Sequence, residues 1–284
     1  MAALVHVGIK AQMYESYQHK GEIGVGIGVG NYFGDLNPHE NFKRMRPAVN
    51  LYYQYYINNY VGIKLSGLYT RLGNSDVHNK DSAYLVRNLS FNTDVWELTL
   101  NGTFNFFKFL PGIEGHRFTP YISAGVGIFN YNPFAYLNVD GKNEKIYLRP
   151  LGTEGQKSTT PHDGKKYGSV ALAFPLAFGV KYAVTENWNV FAEVGYRFTT
   201  TDYLDDVSTT YAGAAAFQAS NYNGTTKELW YAQQLQDRSG EVVAEPIGNA
   251  GYARGNSRAK DSYLIGLIGV SFNINGYKCP PSRQ

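Results

Sequence analysis

The feature that most constrains this chain is a strict alternation of apolar with polar or small residues, sustained over roughly ten residues at a time and met eight times along the sequence. Successive side chains of a β-strand point to opposite faces, so each such segment carries one greasy and one polar surface. Val49, Leu51, Tyr53, Tyr55 and Ile57 alternate with Ala48, Asn50, Tyr52, Gln54 and Tyr56. Val61, Ile63, Leu65 and Tyr69 alternate with Gly62, Lys64, Ser66 and Thr70, and Trp96, Leu98, Leu100, Phe104 and Phe106 with Glu97, Thr99, Asn101, Thr103 and Asn105. Leu172–Tyr182 and Trp188–Phe198 repeat the scheme. In Ile23–Gly30 and Ile122–Ile128 the second face is glycine and serine, which avoids overfilling a narrow barrel. Leu264–Asn273 is the eighth segment and the least polar on its second face.

The connections separate a membrane barrel from a soluble sandwich. Asn58-Asn59, Lys108–Arg117 and Thr185-Glu186-Asn187 are short, whereas Gly34–Met45, Gly73–Leu89, Asn132–Gly168 and Thr199–Lys260 are longer, polar and rich in Gly, Asn, Asp and Thr. Short and long alternate along the chain, the asymmetry of outer-membrane barrels. Hydrocarbon offers no partner to an open strand edge, so a spanning sheet must close on itself. The expectation is an all-β fold: an eight-stranded antiparallel transmembrane β-barrel of the outer-membrane type with long extracellular loops and both termini periplasmic.

Composition narrows the class. The chain has 284 residues, of which 15% are aromatic, with 24 tyrosines, and only 17% are charged. Mean hydropathy is −0.34, and no apolar run reaches the roughly 18 residues of a membrane helix. Val170–Val180 comes nearest and contains Pro175. The 26 basic and 23 acidic residues nearly balance, so nucleic acid is not an expected partner. Residues 1–11 read as the tail of a signal peptide ending at Ala11, with residues 12–284 as a single barrel domain.

Charges on the polar faces must pair if they line a narrow lumen, because an unpaired buried charge is costly. Glu22, Glu97 and Glu193 are therefore expected to compensate Lys64, Lys181 and Arg197. Asp202, Asp205 and Asp206 form an acidic cluster that offers oxygen ligands to Ca²⁺, or serves simply as turn and capping residues; it lacks the glycine and spacing of a calcium loop. The six histidines are scattered, no Gly-x-Ser-x-Gly element is present, and Cys279 is the single cysteine. No catalytic residue, cofactor or metal is expected.

Several long strings resemble the PorG family, outer-membrane barrels of the Bacteroidetes type IX secretion and gliding system. They are Asn31–Asn37 (NYFGDLN), Arg46–Ala48, Arg87–Phe91 (RNLSF), Thr119–Tyr121, Phe129–Pro133, Arg149–Gln156 (RPLGTEGQ) and Thr201–Thr209 (TDYLDDVST). The resemblance spans about Gly21 to Tyr211; Ala212–Arg258 lies outside it. It implies a scaffold without catalytic residues that anchors a periplasmic ring of the lipoprotein PorK and its partner PorN. The contacts would fall on the periplasmic side, at Asn58, Asn59, Glu186, Asn187 and the tail near Cys279. An adhesin or receptor using Thr199–Lys260, or a narrow pore, is the alternative.

Overall fold

The computed structural model describes residues 17–277, and side-chain environments over 20–274. The expected signal remnant and Cys279 lie outside the described residues. Ten strands form one sheet: β1 (Tyr17–Phe33), β2 (Arg46–Tyr56), β3 (Val61–Ser75), β4 (Ser90–Asn105), β5 (Phe118–Asn130), β6 (Phe134–Val139), β7 (Lys142–Tyr147), β8 (Val170–Ala183), β9 (Trp188–Thr199) and β10 (Ser262–Tyr277). Eight of them close a ring in the order β1-β2-β3-β4-β5-β8-β9-β10, with β10 pairing back onto β1 and every pairing antiparallel. The eight are the alternating segments of the sequence.

The barrel is apolar outside and polar inside. On the outer surface Ile27 is 60% exposed, Leu98 51% and Ile268 64%, whereas inward-facing Glu22 is 0% exposed and Lys181 2%. An exposed aliphatic belt around a whole molecule far exceeds the few hundred Å² that soluble monomers show. The exterior is built for hydrocarbon, and the closed ring leaves no strand edge in it. Aromatic residues end the belt: Trp96 and Phe198 toward one end, Tyr55, Phe106, Phe118 and Trp188 toward the other. The seam between β1 and β10 needs glycine at one point, since a Cβ on Gly28 would sit 1.8 Å from the carbonyl oxygen of Gly266.

The two ends differ. At the short-turn end, Asn58 closes the β2–β3 turn by accepting from the N–H groups of Tyr60 and Val61, both at 2.8 Å. The β4–β5 connection tucks Phe109 and Leu110 out of solvent. At the long-loop end, β3 and β4 run beyond the expected strand limits, pairing Arg71–Ser75 with Ser90–Asp94. Within Asn132–Gly168 the structure adds a hairpin of β6 and β7, joined to β4 through Asn92 and Phe134. Its two-residue turn is Asp140-Gly141, with φ of 50° and 78°, the left-handed pair that a twisted hairpin favours. Two helices complete this cap: α1 (Ser82–Arg87), and α2 (Thr226–Leu235), which starts at a Thr225/Glu228 capping box. Leu36, Leu72, Phe91, Leu148, Leu204 and Leu235 belong to its buried core. No helix among the described residues is long and apolar enough to cross a membrane.

Candidate functional site

The inward charges meet in pairs that cross the lumen. Lys64 Nζ on β3 lies 2.5 Å from Glu193 Oε2 on β9, four strands away in either direction round the ring. Glu22 on β1 binds Lys181 on β8, three strands off. Glu97 on β4 faces Arg197 on β9 at 3.7 Å, an ion pair without a hydrogen bond, since Arg197 Nε has none. The alternation places these six side chains inside; their pairing depends on closure of the ring, which brings distant strands face to face.

Tyrosines complete the lumen. Tyr52 donates to Glu22 at 3.0 Å, Tyr121 to Glu193 at 2.9 Å, and Tyr263 to Glu97. Lys181 Nζ donates to Tyr56 at 2.9 Å, and Asn189 to Glu22 at 3.0 Å. None of these partners is singled out as a site residue by the alternation alone. Tyr52 and Tyr56 fall in register with Gln54 on the polar face, which was a usable signal, but tyrosine is also the residue expected at the membrane interface. With the Tyr52 and Phe191 rings edge to face at 5.4 Å, the lumen is braced and filled rather than open.

Asn58, Asn59, Glu186 and Asn187 all lie at the short-turn end. Asn58, Glu186 and Asn187 are exposed and Asn59 half-buried. Asn273 ties the turn to β10 by donating from its amide side chain to the Glu186 carbonyl at 2.9 Å and from its N–H to the Asn187 carbonyl at 2.8 Å.

The long-loop cap holds a second buried polar network. Arg87 grips Asp76 with two hydrogen bonds of 2.8 Å and donates to the carbonyls of Arg254 at 2.7 Å and Asp35 at 2.9 Å. Glu154 accepts from the N–H groups of Ser208 and Thr209 at 2.8 and 3.1 Å, from the Thr209 hydroxyl at 2.7 Å, and from Arg254 at 3.2 Å. Tyr131 and Thr201 hydroxyls meet at 2.8 Å. Five strings of the family resemblance (those of residues 31–37, 87–91, 129–133, 149–156 and 201–209) thus converge in this cap.

Asp202, Asp205 and Asp206 do not form an oxygen ligand set. Asp202 accepts from Ser208 at 2.5 Å, Asp205 from Tyr32 at 2.6 Å, and Asp206 from Thr153 at 2.5 Å and from Tyr167. Among the described residues no group of three or more His, Cys, Asp or Glu is placed to hold a metal ion. The spacing is used for capping and cross-linking of loops instead. Burial pushes Asp202 and Asp206 up to about 6. Burial first, and neighbouring acids next, raise Asp205 and Asp261 well above the carboxylate range. Geometry agrees: the Tyr32 hydroxyl lies 2.6 Å from Asp205 and 2.8 Å from Asp261, and its single hydrogen serves one of them. The other contact requires a carboxyl proton.

A family model described as a domain of unknown function (DUF6089) matches residues 2–148. The search of curated proteins finds no match. Similar solved structures include the N-terminal β-barrel domain of Pseudomonas aeruginosa OprF, at 13% identity and TM-score 0.35, covering 90% of this chain and 100% of that one. Neisserial surface protein A has 11% identity and TM-score 0.40, covering 89% and 97%. Ail, the attachment invasion locus protein of Yersinia pestis, has 10% identity and TM-score 0.39, covering 90% and 99%.

Proposed function

The chain belongs to the DUF6089 family, a domain of unknown function, and since that description assigns no role we propose one from the geometry. The chain is a non-enzymatic barrel of the outer membrane, with its short turns and both termini in the periplasm, and it works as an anchor rather than a conduit. The observation that carries this is the lumen. Three ion pairs and their tyrosines cross it, while the greasy exterior fits lipid. Such a body is a rigid post to which other proteins attach.

The finer reading is that the post holds a periplasmic lipoprotein ring of the type IX secretion system, PorK- and PorN-like. Its support is the resemblance of the quoted strings to the PorG family. The small face of Asn58, Glu186 and Asn187, all exposed, with half-buried Asn59 beside them, is the surface such a ring would meet. Alanine at all four positions, followed by purification from membranes and mass spectrometry, tests it. Loss of the ring lipoprotein from the preparation is expected, and undiminished co-purification overturns the ring contact without touching the barrel.

A second reading, a surface receptor or adhesin, is favoured by one observation: the long loops form an ordered cap with its own core. Deletion of the gene separates the two, since loss of secretion supports the anchor and loss of attachment the receptor. The braced lumen counts against a pore, and single-channel conductance well above background would reverse that.

A further inference from the structure

The cap contains a cavity of about 400 Å³ whose wall includes Arg149, Gln156, Lys157, Ser158, Lys166 and Asn223. No Asp or Glu is among its described lining residues. Ligand sites have this size, with a few polar groups fixed in place. Three turns wind the chain round it: Leu151 N–H donates to Leu148, Gly155 to Gly152 and Ser158 to Gly155, at 2.9, 2.9 and 2.7 Å. Gly152 and Gly155 take φ of 64° and 88°, which favours glycine in each case.

Gln156 is the informative residue. It is 8% exposed, and its Oε1 is held by the Glu154 N–H at 2.9 Å. That bond fixes the amide, leaving Nε2 as a buried donor without a partner, on a residue that lines the cavity. A buried orphan donor is costly in a folded protein, so a ligand that accepts from it is favoured. Around it stand three cations. Lys157 shares its charge with Glu228 at 3.0 Å, and Arg149 uses only its Nε, toward Asn132 at 3.4 Å. Three positive charges less one carboxylate leave two, the charge of a phosphate monoester rather than of a carboxylate.

The geometry points to a phosphoryl-binding site in the long-loop cap: Arg149, Lys157 and Lys166 neutralise the group, the Gln156 amide donates to one of its oxygens, and Asn223 lines the same cavity beside them. The site is independent of what the short-turn end binds. Two sources share this chemistry, a soluble sugar phosphate and the phosphorylated sugar head of a lipopolysaccharide.

Isothermal titration of the full chain in a zwitterionic detergent tests the site. The probes are glucose 6-phosphate, glucose, and lipopolysaccharide before and after enzymatic dephosphorylation. Saturable binding of glucose 6-phosphate but not glucose is expected if the source is soluble, and of intact but not dephosphorylated lipopolysaccharide if it is the lipid. In either case Lys166→Gln, an exposed change that leaves the fold alone, and Gln156→Leu are each expected to weaken binding about tenfold or more. The proposal is overturned if no phosphorylated probe binds, or if binding is the same in both variants.

Discussion

At the scale of single residues, the lumen shows how alternation becomes chemistry. Glu22 is fully buried, and Lys181, Tyr52, Asn189 and Ser271 each give it a hydrogen bond. Removing one member of a buried pair strands the other, which typically costs about 3–5 kcal/mol. Lys181→Met is therefore expected to lower barrel stability by about that much, measured by urea unfolding in detergent. The double variant Glu22→Leu/Lys181→Met, which removes both charges, is expected to recover most of the loss. Equal stability of Lys181→Met and the parent chain would mean that the ion pair does not brace the barrel. The residues of these pairs were legible because period two decides inside from outside. Their partners were not, since pairing Lys64 with Glu193 requires knowing that β3 and β9 oppose each other.

Among the elements, the cap departs most from the sequence expectation. Asp140-Gly141 between two short runs was a readable hairpin signal, as was the capping box of Thr225 and Glu228. Polar composition masks both inside the long connections Asn132–Gly168 and Thr199–Lys260. The network of Arg87, Asp76, Glu154 and Arg254 was not readable, for it joins side chains up to 100 positions apart in its ion pairs. The cap also carries a pH dependence. The folded cap holds Asp202 and Asp206 at about 6, against an ordinary 3.8, so it binds protons that the unfolded chain has released. Stability from these groups is complete below about 3.8 and is lost as pH rises through 6. Limited proteolysis with an enzyme active across the range is expected to cut the 199–261 segment more slowly at pH 5 than at pH 8. Asp202→Asn should flatten the difference, and faster cutting at pH 5 contradicts the assignment.

For the whole molecule, the three tryptophans report position. Trp96 and Trp188 are 63% and 50% exposed on the barrel surface near its opposite ends, while Trp230 is 42% exposed on α2 in the cap. In single-tryptophan variants reconstituted into vesicles, brominated lipid is expected to quench Trp96 and Trp188 strongly and Trp230 little. Strong quenching of Trp230 with none at Trp96 would invert the membrane placement. Closure has a consequence for assembly as well. Glu22 sits on the first strand, and its counter-ion comes from the third-to-last strand of the chain. Until the ring shuts, Glu22 keeps its Tyr52 hydrogen bond from β2 but lacks its counter-ion, so a partly formed sheet cannot sink into oil without carrying unneutralised charge along. Burying Glu22 with its charge neutralised therefore requires β8, so the cost of insertion falls only once the late strands have joined the first.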